Sequence, residues 1–198
     1  MFELNETQEA LAEAVRDFCR DLLGPTLQED DDNQVFRKDF IKAMGEQGFC
    51  GVPTPEEYGG LGLGYRDYCV VLEEISKVSA SYAVAVAVTG LPQVILARYG
   101  TDEQKDRWLP ILSSGEALGA FALSEPEAGS DAGSLRTTAE LDGDHYILNG
   151  TKFWITSGGQ ADVYIIMART GGPGPKGISA FVVPGDAPGM SFGRKEDK

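Results

Sequence analysis

Apolar residues recur at helical spacing through the first part of the chain and at strand spacing after it. Leu11, Val15, Phe18 and Leu22 lie three or four apart and share one face of a helix. Asn5 with Gln8 forms a capping box at its start, and Gly24-Pro25 ends it. A second amphipathic helix carries Phe36, Phe40, Ile41 and Met44 on one side, with Gly48 as its C-terminal cap. The glycine-rich stretch from Pro53 to Gly64 lacks the GxGxxG and Walker spacings and reads as a structural turn rather than as a phosphate-binding loop. A third helix turns Tyr68, Leu72 and Ile75 inward. Tyr82 to Val88, YAVAVAV, alternates like a strand yet is apolar after the tyrosine, like a buried helix. The pattern leaves both open. Thr101 and Gln104 cap a further helix that carries Trp108 and Leu112.

The period changes after Gly115. HYIL, KFWIT, VYIIMA and ISAFVV have strand length and are rich in β-branched or aromatic residues. Asp142-Gly143 and Asn149-Gly150 are tight-turn signals. Thr170 to Gly177, TGGPGPKG, is a loop. Helices first and strands afterwards predict an α+β chain. Residues 1–115 form an all-α domain and residues 116–198 an antiparallel β-sheet or barrel domain.

Composition narrows the function classes. With 31 acidic and 17 basic residues the formal charge is −14, and the basic face of a nucleic-acid binder is missing. Cys19, Cys50 and Cys69 show no CxxC pair or metal spacing, so no metal site or disulfide framework is expected. No apolar run approaches about 18 residues, so no transmembrane helix is expected. The first residues carry acids where a targeting peptide carries bases, which makes the cytoplasm the expected location.

Two stretches can carry chemistry. In FALSEPEAGSD, Phe121 to Asp131, a strand-like start runs into a turn of small residues. Its backbone N–H groups, with Ser124 and Ser130, suit an anionic or carbonyl-rich ligand, or else form an ordinary Ω-loop. Glu125 and Asp131 read as braces of that turn. In NGTKFWITSGG, Asn149 to Gly159, Trp154 and Thr156 share a strand face. They form either a platform for a planar heterocycle or plain core.

ALSEPEAGSDAGS (Ala122–Ser134) resembles the signature of the acyl-CoA dehydrogenase family that follows its helical domain. NGTKFWIT resembles the family's second flavin-contacting strand. YGTDEQKDRWLPILSSGE (Tyr99–Glu116) and PEEYGGLGLG are similar to its helix-and-turn and N-terminal loop, and GISAFVVPGDAPGMSFGRKEDK continues the match to Lys198.

The resemblance implies FAD as cofactor and an acyl-CoA substrate of fatty-acid metabolism. Phe121, Leu123 and Ser124 would border the isoalloxazine, Phe121 standing where many relatives have tyrosine. Gly129 and Ser130 would approach the ribityl and pyrophosphate, with Ser130 also near CoA. Trp154 would pack on the flavin face, beside Ile155, and Thr156 would hydrogen-bond near N5. YAVAVAV becomes a helix closing the acyl pocket, with Ala83, Val84 and Ala87 at a dry floor suited to an uncharged chain. An electron-transfer flavoprotein would accept the electrons, and a tetramer is the expected assembly. The glutamate base would belong to a C-terminal helical bundle beyond Lys198, so the chain is expected to be truncated, with its sheet incomplete, and inactive alone. A same-fold oxidase or monooxygenase and a non-catalytic flavin-, CoA- or protein-binding module are the rival readings.

Overall fold

The computed structural model describes residues 3–196. The chain divides into two compact units, Met1–Ala117 and Leu118–Lys198.

The first unit is helical: α1 (Glu6–Leu23), α2 (Leu27–Asp32), α3 (Lys38–Glu46), α4 (Tyr65–Val78), α5 (Ala80–Tyr99) and α6 (Asp102–Ser113). Asn5 and Gln8 make the reciprocal capping box of α1, and Thr101 and Gln104 that of α6. Each such cap contributes about 1 kcal/mol. After α3, Phe49 N–H donates to Met44 O and Gly48 N–H to Gly45 O. Gly48 sits at φ +82°, the left-handed conformation this helix ending requires. Phe36 precedes α3 instead of joining it, and its ring stacks on Tyr82, 5.3 Å between centroids. The short α2 carries no apolar periodicity, and the sequence pattern did not reveal it.

Val15 and Cys19 of α1, Ile41 and Met44 of α3, Val71 and Ile75 of α4, and Leu109 and Leu112 of α6 form a dry core. Burying each aliphatic side chain contributes roughly 1.5–3 kcal/mol. YAVAVAV lies in helix α5, which the hydroxyl of Ser79 caps. By length and composition α5 could cross a membrane, although no apolar run in the sequence pointed to a span. Its polar residues belong to a protein core. Gln93 is buried, its amide donates to Cys50 O (2.9 Å) and Thr89 O (3.3 Å), and its oxygen accepts from Thr54 (2.6 Å) and Ser113 (3.0 Å). With every polar atom partnered, Gln93 ties α5 to α6 and to the loop before α4.

The second unit contains, among the described residues, β1 (Gly119–Ala122), β2 (Thr138–Asp142), β3 (His145–Asn149), β4 (Val163–Arg169) and β5 (Ile178–Pro184). The strand order is β1-β4-β2-β3, with β5 paired to β4. The β2–β3 hairpin turns at Gly143-Asp144, and it and the β4–β5 pair are antiparallel, as the pattern predicts. β1 instead runs parallel to β4, Gly119↔Val163 to Ala122↔Ile166, and β2 meets β4 in parallel at Thr138↔Arg169. The sheet is therefore mixed. Periodicity reports that a segment is a strand, whereas direction follows from how the long connection from Gly150 to Asp162 returns the chain.

Two local expectations change. Asn149-Gly150 is no turn: a Cβ at Gly150 would lie 2.3 Å from Thr137 Oγ1 and 2.7 Å from its Cα, so glycine serves a close approach. Lys152 to Thr156 is no strand. Trp154 at φ +55° and Ser157 at φ +63° take the chain out of extended conformation, and the segment packs by other bonds.

Candidate functional site

Both stretches singled out from sequence lie in the sheet unit, and the structure joins them. Phe121 is half-buried on β1 opposite Ile165. Leu123 and Ser124 follow, also half-buried, and Ser124 O accepts the N–H of Phe153 at 2.8 Å. Gly129 and Ser130 are exposed at the tip of the turn, and a Cβ at Gly129 would meet nothing within 4 Å. Asp131 braces the turn through its carbonyl, which accepts Ser134 N–H at 3.1 Å, and its carboxylate, which accepts the Ser134 hydroxyl.

Trp154 is 72% exposed, Thr156 is exposed and Ile155 is half-buried. Because Lys152–Thr156 is irregular, alternation along a strand does not place Trp154 and Thr156 on one face. Trp154 stands in left-handed backbone with an indole that no core covers. Positive φ is a costly state for a bulky residue and recurs where a ligand needs a particular presentation. The turn that follows is pinned by Gly159 N–H, which donates to the Tyr164 hydroxyl at 2.9 Å.

Glu125 shows why this irregular backbone holds its shape. Its carboxylate accepts from Arg136 N–H, from Thr137 N–H at 3.0 Å and from Lys152 Nζ at 2.7 Å. Lys152 also donates to Leu123 O at 3.0 Å. Burial pushes the Glu125 carboxyl up, but Lys152 and the groups of Thr137 and Arg136 outweigh it and hold it down at about 2. Burial pushes the Lys152 ammonium down, with Glu125 opposing. Glu125 is thus the brace expected from sequence, ionised and with both oxygens engaged.

Arg169 plays a similar part. All its donors go to main-chain carbonyls: Gly133, Leu135, Gly172 and Gly174, at 2.7–3.1 Å. Lys152 and Arg169 were missed in the sequence. The available signal was a charged side chain in or at the end of an apolar run, which needs a partner if it is to be buried.

In the helical unit, the residues expected at an acyl pocket divide. Ala83 is buried in the helical core, Val84 is 49% exposed and Ala87 is half-buried. The outward stripe of α5 is Val84, Ala87, Val88 and Leu91, at i, i+3, i+4 and i+7, without a charge.

This pair of units has known counterparts. Residues 5–116 match the acyl-CoA dehydrogenase N-terminal domain and residues 120–198 the acyl-CoA dehydrogenase middle domain. The chain belongs to the acyl-CoA dehydrogenase family. It is 43% identical over 197 residues to an acyl-CoA dehydrogenase of Bacillus subtilis, covering 98% of this chain and 52% of that protein. The solved butyryl-CoA dehydrogenase of Megasphaera elsdenii is similar over 100% of this chain and 53% of its own, with TM-score 0.91 and 36% identity. A glutaryl-CoA dehydrogenase of Mycobacterium smegmatis in complex with FADH2 is similar with TM-score 0.91 and 34% identity, over 98% and 50% of the two chains. The chain spans about half the length of the curated relatives it matches.

Proposed function

We propose that the sheet unit holds FAD and that the protein takes part in α,β-dehydrogenation of an acyl-CoA thioester. The observation that carries this reading is Trp154, an uncovered indole in left-handed backbone whose segment is bonded directly to the Ser124 loop. A planar aromatic surface, nearby hydroxyls and an open glycine turn fit a ligand with a flat heterocycle and a phosphate-bearing tail. The FADH2 complex of the M. smegmatis relative supports the same cofactor.

In this reading Phe121, Leu123, Trp154 and Ile155 supply apolar surface to the ring. Ser124 and Thr156 supply hydroxyls at its polar edge, and Gly129 and Ser130 admit the tail. Held by these residues, FAD would supply the acceptor for the hydride of the acyl chain. Glu125 is unsuited to take the α proton, since both its oxygens are occupied and it stays ionised far below neutral pH. The proposed base is the glutamate that the family resemblance places in a C-terminal helical bundle, outside the two matched domains. The uncharged stripe Val84, Ala87, Val88 and Leu91 suits an acyl chain without a second carboxylate. An electron-transfer flavoprotein is the proposed acceptor and a tetramer the proposed assembly.

An anaerobic absorbance titration with FAD, followed by butyryl-CoA and then glutaryl-CoA, tests this. Expected is a bound flavin with a perturbed visible band, and loss of binding in Trp154→Ala. Tighter binding of butyryl-CoA than of glutaryl-CoA, read from the shift of the flavin band, would support the uncharged acyl chain, and the reverse order would sink that part. Absence of flavin binding by the unmodified protein would sink the whole.

A further inference from the structure

We propose that Lys152 is a positioning residue for the flavin-binding face, locking the Leu123–Glu125 segment to the Lys152–Thr156 segment. This rests on the reading that those segments hold FAD. Neither segment has a ladder that fixes its place: β1 ends at Ala122 and β3 at Asn149. Three bonds join them. Phe153 N–H donates to Ser124 O, and Lys152 Nζ donates to both Leu123 O and the Glu125 carboxylate. Lys152 therefore contributes two of the three, each within two residues of a group proposed to touch the ring.

The chemistry explains why a lysine stands there. Its ammonium offers three donors on a flexible stem, so one side chain can satisfy a carbonyl and a carboxylate from different directions. Both side chains are nearly dry, Lys152 10% exposed and Glu125 3%. Stability is a poor reason for such a pair, because apolar residues of similar volume commonly do as well or better in a buried site. Directed bonds specify position, which apolar contacts do far less sharply. Glu125 extends the lock to the start of β2 through Arg136 and Thr137.

The test uses the protein with Trp108→Phe, which leaves Trp154 as its only tryptophan. FAD is titrated while Trp154 emission and the flavin band are followed. Variants are Lys152→Met, Lys152→Arg and the double variant Glu125→Gln/Lys152→Met, each checked by circular dichroism. Expected for Lys152→Met is a loss of FAD affinity of about tenfold or more, the scale seen when the support of a binding group is removed. FAD should also quench Trp154 less, and Lys152→Arg should regain part of both signals. If Lys152→Met alone loses its fold by leaving Glu125 unpaired, the folded double variant carries the test with the same expectation. Unchanged affinity and quenching in a folded variant would overturn the proposal while leaving the FAD reading intact. A double variant that also fails to fold would assign the pair to stability and overturn it too. No FAD binding before any change at Lys152 would overturn both.

Discussion

The two units place their parts by different means. In the helical unit, dry apolar side chains such as Ile41, Met44, Leu109 and Leu112 set the packing. Helix caps and ion pairs that join a half-exposed cation to a buried carboxylate, such as Arg16–Glu74 at 2.9 Å, trim it. In the sheet unit, the segments from Leu123 to Asp131 and from Gly150 to Asp162 carry the candidate site. They are largely without regular structure. Lys152, Glu125 and Tyr164 hold them by side-chain bonds to main chain and to each other. Backbone that leaves a ladder must find other hydrogen-bond partners when buried, and those partners then decide its shape. The contrast lies in what buried charge is bonded to: Asp30 and Glu74 on helices accept from side chains, whereas Glu125 also accepts backbone N–H groups outside the ladders.

Three perturbations break or sharpen that contrast. The largest effect is expected from Glu125→Ala, which strands Lys152 and two backbone donors in a dry site at a cost of about 3–5 kcal/mol. Urea unfolding followed through Trp154 should shift to lower denaturant, with a smaller shift at Trp108 in the helical unit. Equal shifts at both probes would erase the contrast.

Acid comes next. Glu125 is held at about 2 against an ordinary 4.5. Its depressed pKa means that the stabilisation is complete above about pH 4.5 and fades as pH falls toward 2. In Glu125→Gln the acid sensitivity of the sheet unit in that window should shrink, read from thermal melts at stepped pH. An undiminished acid response would assign it to other carboxylates.

The smallest effect is expected in the helical unit. Thr101→Ala removes a cap oxygen at the start of α6 and should cost about 1 kcal/mol. It should move the Trp108 transition slightly and FAD binding not at all. A change in FAD affinity with this variant would contradict the division of labour between the units.

Much of this was legible in the residues. The capping boxes at Asn5 and Thr101, the stop at Gly24-Pro25 and the strands around HYIL, VYIIMA and ISAFVV are local signals, and each appears in the fold. Glu125 as a brace was legible too, because an acid in a turn of small residues has few other uses. YAVAVAV was ambiguous in pattern, since its apolar side chains fit a buried strand or a buried helix equally. KFWIT was misread because its aromatic and β-branched residues favour extended backbone, while bonds to Ser124 and Glu125 hold it elsewhere.

By itself, then, the sequence determined where α1 and α6 begin, that HYIL, VYIIMA and ISAFVV extend and which two stretches can carry chemistry, because neighbouring residues decide those outcomes. Only the tertiary structure decided that β1 runs parallel to β4, that Val84 faces outward while Ala83 is buried, and that Lys152 meets Glu125. Each of these depends on residues far apart in the chain, whose meeting no local period encodes.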